Sequence, residues 1–132
     1  MAVQGPTPLK LTNLVAAADL SASHGKFVKL DAAGKVVAVA AVTDRPVGIL
    51  CNKPKAGQEA EVVALGQTKM LASAALAIGA SLVTSADGRA AAQAAPAAGT
   101  TVPNYGLVMS TSTGANVWVT VMVNTVNSAL YA

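Results

Sequence analysis

The sequence predicts an all-β fold, a small pseudo-symmetric β-barrel, and three observations lead to this prediction. Short Val-rich runs recur along the chain between Gly, Pro, Asn and Asp residues, which is the pattern of strands and turns. The one tract that favours a helix, residues 90–99, is interrupted by Pro96 and ends at Gly99, so we expect a loop there. Finally, the glycines are spaced so that two clusters of strands resemble each other.

The composition fits one domain with a core of small side chains. The chain has 132 residues, of which 53% are hydrophobic, 11% are charged and 3% are aromatic. The mean hydropathy of +0.52 is high for a chain with so few charges, and such proteins often cover part of their apolar surface in an assembly. No apolar run approaches the roughly 20 residues of a membrane helix, so we expect no membrane insertion.

Charge and rare residues exclude several classes of function. The net charge of +3 comes from basic residues scattered along the chain, whereas nucleic-acid-binding proteins usually cluster them with aromatic side chains. Specific nucleic-acid binding is therefore not expected. One Cys and one His cannot supply a structural zinc site. The first ten residues have neither a basic leader nor an apolar segment, so we expect synthesis and retention in the cytoplasm.

The first element, residues 1–20, is predicted to be an extended N-terminal arm. Gly5, Pro6 and Pro8 favour extended backbone. The following segment, residues 9–15, alternates well enough to add a strand to the edge of a neighbouring sheet. A frayed terminus is an equally good interpretation. The rest of the chain, residues 21–132, is predicted to form a single β domain.

Seven strands are predicted in that domain, and they fall into two pseudo-repeats. The repeats cover residues 22–66 and 76–123. Chance similarity is the alternative explanation in a chain rich in Gly, Ala and Val, and four glycine matches in the same order argue against it. Matched glycines imply matched bends, since each glycine permits a positive φ. The glycine pairs are Gly25 with Gly79, Gly34 with Gly88, Gly48 with Gly106 and Gly57 with Gly114. The predicted strands are residues 26–30, 35–42, 47–50, 60–65, 80–84, 105–109 and 116–123.

The residues that could carry chemistry do not form a catalytic pattern. His24 has no base or orienting partner near it in the sequence, and it matches Ile78 of the second repeat. Cys51 is interpreted as a small, partly buried hydrophobe. Glu59 and Glu61 alternate, so they share one face of a strand, and a solvated face is the common reason for this pattern. We therefore predict a protein that is not an enzyme and that needs no cofactor.

Lys69 raises one alternative, in the segment QTKM of residues 67–70. The segment resembles the lysine turn of biotin- and lipoyl-carrier domains, which are also small pseudo-symmetric β structures. The Glu-Ala-Met that precedes the lysine in that family is replaced here by LGQT. A carrier domain modified at Lys69 is thus a less favoured interpretation.

Residues 22–123 together resemble the head decoration, or capsid cement, proteins of tailed bacteriophages. The resemblance is carried by RPVGIL, AGQEAEVVALGQTKM, ALAIGASLVTSADGRA and NYGLVMSTSTGANVWVTVMV, in that order. It implies a compact β-barrel or β-tulip-like fold, commonly a homotrimer, on the exterior of the virion. It also implies that the partner is the major capsid protein and that the function is to bridge and stabilise capsid subunits.

Candidate contact residues follow from this resemblance and from the patterns above. The arm and the basic turn NKPK are candidate capsid contacts, and the large side chains are candidate anchors of the core or of an oligomer interface. Trp118 alternates with the valines of its strand, and packing in the core is nearly as good an interpretation for it. The candidate capsid contacts are Pro6, Pro8, Leu9, Lys10, Lys53, Pro54 and Lys55, and the candidate interface residues are Tyr105 and Trp118.

A second class of function also fits a small β domain. A surface module that binds carbohydrate or a partner protein would share the fold. The scarcity of aromatic residues for sugar stacking and the lack of a secretion signal weigh against it.

Overall fold

The computed structural model describes residues 9–95, 97–125 and 129–131, and it confirms the all-β prediction. The described residues contain eleven short strands and one 3-10 turn, Ser21–Ser23. The strands are β1 (Leu9–Leu11), β2 (Phe27–Leu30), β3 (Val36–Ala38), β4 (Gly48–Leu50), β5 (Val62–Leu71), β6 (Leu82–Thr84), β7 (Ala90–Ala92), β8 (Thr101–Pro103), β9 (Gly106–Val108), β10 (Trp118–Asn124) and β11 (Ala129–Tyr131).

One antiparallel sheet of seven strands organises the domain. Its order is β3-β2-β4-β5-β10-β9, with β1 also paired to β5. Two small sheets, β6 with β7 and β8 with β11, complete the described architecture. The end strands β3 and β9 are not paired with each other, so the described strands do not close into a barrel.

Strand β5 is longer than predicted, and the extension changes the interpretation of Lys69. The sequence predicts a strand over residues 60–65, whereas β5 continues to Leu71 and pairs with β10 along residues 65–71. Lys69 lies within this ladder opposite Thr120. A carrier lysine must be displayed at the tip of a turn, so the lysine-turn interpretation is wrong.

The alanine-rich tract also differs from its prediction. Residues 90–92 form β7, which pairs with β6 through Ala90 and Thr84, instead of beginning a loop. Alanine has little intrinsic preference for strands, so the hairpin partner decides this conformation. Pro96 lies outside the described residues.

The predicted arm of residues 1–20 is part of the domain from Leu9 onward. Strand β1 pairs with β5 of the same chain, and the side chains of Ala16 and Leu20 are buried. The alternating segment therefore adds a strand to its own sheet, where the sequence suggested the edge of a neighbour's sheet. Pro6 and Pro8 lie outside the described residues.

The two halves of the chain, residues 9–65 and 66–125, repeat the same hydrogen bonds at the positions that the glycine alignment pairs. Each half contains a hairpin followed by a strand that returns to the edge of that hairpin. Four amide-to-carbonyl bonds of the first half each have a counterpart in the second. Val47 donates to Val28 as Tyr105 donates to Leu82, and Leu50 donates to Lys26 as Val108 donates to Ala80. Gly25 donates to Leu50 as Gly79 donates to Val108, and Asp31 donates to Lys35 as Ser85 donates to Arg89.

Each half also has its own buried cluster, built from matched positions. Ala16 bridges Val36 in the first cluster as Ala72 bridges Ala90 in the second. Burial of these side chains removes apolar surface from water and is the main term that favours folding. The other matched pairs are Leu20 with Leu76, Val28 with Leu82, Leu50 with Val108, Ala60 with Val119 and Val62 with Val121.

The second cluster contains three further side chains that come from the first half. Phe27, Ile49 and Val63 are neighbours across β2, β4 and β5, and all three are fully buried in the cluster of the second half. We call them the buried trio. The ring of Tyr105 meets the ring of Phe27 edge-on at 5.7 Å. The two halves are therefore joined by apolar packing as well as by strand β5.

Gly106 provides a test of this close packing. Its φ is +144°, and a Cβ built there would overlap the carbonyl of Met122. We expect Gly106→Ala to lower the free energy of unfolding by about 3 kcal/mol or more, because the variant would suffer both backbone strain at this φ and overpacking against Met122. Urea denaturation followed by far-UV circular dichroism measures the change.

The matched control for this prediction is Gly114→Ala. Gly114 has no positive φ, and a Cβ there would meet open space. We expect this variant to be at least as stable as the wild type, because alanine restricts the unfolded chain. Equal denaturation midpoints for the two variants would contradict the packing described at Gly106.

Candidate interaction surface

The basic turn predicted as a capsid contact is exposed at its two lysines. Lys53 and Lys55 are exposed, whereas Pro54 is buried, and its carbonyl accepts a 2.8 Å hydrogen bond from the amide of Leu20. Pro54 is therefore corrected from a contact residue to a support of the turn. The lysine side chains remain available to a partner.

The candidates at the start of β1 lie on the same side of the domain as Asn52. Leu9 is half exposed, and Lys10 forms an ion pair with Glu61. Glu61 in turn donates its amide to the side chain of Asn52 at 3.0 Å. The hydrogen bond to Glu61 raises the pKa of Lys10, which stays charged at neutral pH.

The two acidic residues that alternate in the sequence have different roles. Glu59 is exposed and its backbone bridges Val15, while Glu61 holds Lys10. Among residues 9–95, 97–125 and 129–131, no three His, Cys, Asp or Glu side chains are grouped so as to hold a metal ion. Burial raises the pKa of the Cys51 thiol, and a raised pKa reduces its nucleophilic thiolate form.

Tyr105 is a core residue. Only 5% of its surface is exposed, and burial raises the pKa of its phenol. The prediction of an interface role for Tyr105 is therefore corrected to packing between the two halves of the chain. The sequence did not reveal this packing, because the partner Phe27 is far away along the chain.

Trp118 lies half exposed at the start of β10, with three neighbours around its indole. The ring covers Gly25, where a Cβ would overlap it. The ring of His24 is 5.4 Å away, centroid to centroid, and the Nζ of Lys69 is 5.2 Å from the indole centroid. This distance allows a cation–π contact. The indole is thus held in place while one part of it faces solvent.

Trp118 belongs to an exposed apolar surface on the outer side of β9 and β10. Met122 lies opposite Leu107 in the ladder, and the amide of Met109 bonds the carbonyl of Thr120. The exposed fractions are 46% for Leu107, 39% for Met109, 39% for Met122 and 36% for Trp118. We call these four residues the Leu107 face. Contiguous exposed apolar residues of this kind commonly mark an interaction site.

Sequence reasoning did not find three members of this face. Residues 118–123 are apolar on both faces apart from Thr120, which is the pattern of a strand buried on both sides. In the structure only the alternate residues Val119, Val121 and Val123 are fully buried. The available signal was Met122 within an otherwise Val-rich strand, since methionine is common at adaptable contact surfaces.

A second apolar surface is a groove in the first half of the chain. Its apolar walls are Leu11, Leu30, Pro46, Val47 and Ala64, and Arg45 and Thr125 complete the lining around a volume of about 360 Å³. The hydroxyl of Thr125 donates to the carbonyl of Val47 at 2.8 Å at the edge of this groove. We call it the Val47 groove. Most of its lining is apolar, so it suits an apolar side chain, and Arg45 is its one charged residue.

The fold and these surfaces define a compact antiparallel β module with exposed apolar contact surfaces. Among the described residues, no helix has the length and apolar character needed to span a membrane. Neither a protein-family model nor a curated protein matches this sequence.

The fold is also found in a solved structure of a phage protein. It is the crystal structure of the head fiber gp8.5 N base in bacteriophage phi29, which superposes with a TM-score of 0.63. The match covers 96% of this chain and 100% of the other, at 16% sequence identity. The fold is therefore shared over nearly the whole length of both chains.

His24 provides a test of the arrangement around Trp118. Burial first, and then the charges of Lys53 and Lys69, lower the pKa of His24 below 6.5. The unfolded chain therefore takes up this proton at a higher pH than the folded chain does. The resulting contribution to stability is present above pH 6.5 and is lost as the pH falls through the folded-state pKa.

We expect His24→Gln to flatten the pH dependence of unfolding between about pH 7.5 and about pH 5. Urea denaturation midpoints of the variant and the wild type across this range make the comparison. The lowered pKa of Asp87, about 2, places its own titration below this window. Parallel pH curves for the two proteins would contradict the environment described for His24.

Proposed function

We propose that this chain is a structural protein of a bacteriophage head that decorates the outside of the capsid. The observation that carries the proposal is the fold shared with the phi29 head fiber base over 96% of the chain. The sequence resemblance to capsid decoration proteins points to the same kind of particle. In this proposal the chain is made in the host cytoplasm and has no catalytic role.

The proposed partner is the major capsid protein of the assembled head. A protein that binds many sites on the shell but not the free subunits stabilises the shell by mass action. The composition suits this role, because few charges and small side chains allow close protein contact. Trimers of the chain, on three-fold positions of the shell, would bridge neighbouring capsid subunits.

The basic turn and the start of β1 are the proposed capsid contacts. Lys53 and Lys55 are exposed on a turn whose backbone is held by Pro54 and Leu20. A fixed turn loses little conformational freedom on binding, which favours affinity. Leu9 and Lys10 would extend the contact, and so would Pro6 and Pro8 in the preceding segment.

Capsid binding can be tested by sedimenting the purified protein with expanded, undecorated capsids. We expect saturable binding and a higher capsid melting temperature. The double variant Lys53→Gln/Lys55→Gln should bind with a dissociation constant about fivefold higher or more, because charges at an interface contribute to affinity. Absence of wild-type binding would overturn the proposal.

Lys35→Glu is the control for this experiment. It changes the net charge by the same amount as the double variant, and Lys35 is exposed on the β2–β3 turn, which is a different loop from the basic turn. We expect capsid affinity close to that of the wild type. Equal losses in the two variants would show that net charge, and not the basic turn, governs binding.

A further inference from the structure

Leu107 and Met122 of the Leu107 face occupy the same places in the second half of the chain as Ile49 and Val63 of the buried trio do in the first. Phe27, Ile49 and Val63 are consecutive partners across three strands. The matched residues Ser81, Leu107 and Met122 are consecutive partners in the same way. The trio in the first half is fully buried, whereas Leu107 and Met122 are exposed.

The cover of the buried trio comes from the second half of the same chain. Tyr105 packs against Phe27, and Val123 belongs to the same cluster. The amide of Phe27 also donates a 2.7 Å hydrogen bond to the carbonyl of Gly88, in the β6–β7 turn. One half therefore presents a sheet face, and the other presents the surface that receives it.

The receiving surface has a counterpart in the first half, and that counterpart is the Val47 groove. Val47 matches Tyr105 through their equivalent hydrogen bonds to Val28 and Leu82. Ala64 lies two residues after Val62 as Val123 lies two residues after Val121, so these positions match as well. Both Val47 and Ala64 line the groove. Within the described residues, the sheet face is therefore covered in the first half, at the buried trio, and exposed in the second half, at Leu107 and Met122. The receiving surface is occupied in the second half, at Tyr105 and Val123, and open in the first half, at the Val47 groove.

We propose that the Leu107 face of one copy docks into the Val47 groove of a second copy, repeating between chains the contact that joins the two halves within one chain. The contact is head-to-tail, because the two surfaces are different. Such contacts close into a ring or continue as a filament, depending on the rotation between copies. The inference concerns contact between copies and stands whether or not the chain binds a capsid.

Two variants with one altered surface each test the proposal by sedimentation velocity. Leu107→Lys alters the face and Leu30→Lys alters the groove; these side chains are 46% and 42% exposed, so the fold should tolerate both changes. We expect a self-associating wild type and a dissociation constant at least about 30-fold higher in either variant, because the docked surfaces would bury an ammonium group beside Arg45 of the groove. Met122→Lys is a second face variant.

Ile78→Lys is the control. Ile78 is 66% exposed and belongs to neither surface, so this variant should associate like the wild type. Far-UV circular dichroism and melting temperatures establish that each variant is folded. A wild type that stays monomeric at millimolar concentration, or variants that associate normally, would overturn the proposal.

Mixing the two variants separates a head-to-tail contact from a symmetric one. Leu107→Lys keeps an intact groove and Leu30→Lys keeps an intact face, so the mixture should form a one-to-one dimer that grows no further. A contact between two Leu107 faces predicts a different result, in which Leu30→Lys associates normally and the mixture yields no such dimer. That result would overturn the proposal.

Discussion

The ten-residue strand β5 is the constraint on which the rest of the structure depends. Its first residues pair with β1 and β4 of the first half, and its later residues pair with β10 of the second half. A displacement of one residue in β5 would turn every side chain to the opposite face of the sheet. Both buried clusters therefore rely on this register, since Val62 serves one cluster and Val63 serves the other.

The two halves are similar in backbone and different in surface. Matched hydrogen bonds and matched core positions build them, but the acidic and basic residues around Cys51 occur in the first half alone. The charges of that half accompany the exposed turn at Lys53 and Lys55, and the second half instead carries the Leu107 face. The duplicated scaffold thus presents two surfaces of different character, an exposed basic turn in the first half and an exposed apolar face in the second.

Much of the architecture was predictable because local signals encode it. Glycine-bounded runs marked β2, β4, β6, β9 and β10, since turns need residues that tolerate a positive φ. The predictions failed where long-range partners decide the outcome. Lys69 lies in a strand because β10 extends the ladder, and residues 90–92 form a strand because β6 lies beside them. Tyr105 is buried because Phe27 is folded against it.

The sequence by itself determined the fold class, the places of most bends and the likeness of the two halves, because these depend on residue type and spacing along the chain. Only the tertiary structure decided which faces are covered. Alternation of residues along a strand indicates that its two faces differ, but it does not show which distant segment of the chain will pack against either face. Ile49 and Leu107 are matched apolar residues on matched strands, yet one is buried and the other is 46% exposed, because the second half of the chain packs against Ile49 in a shared buried cluster.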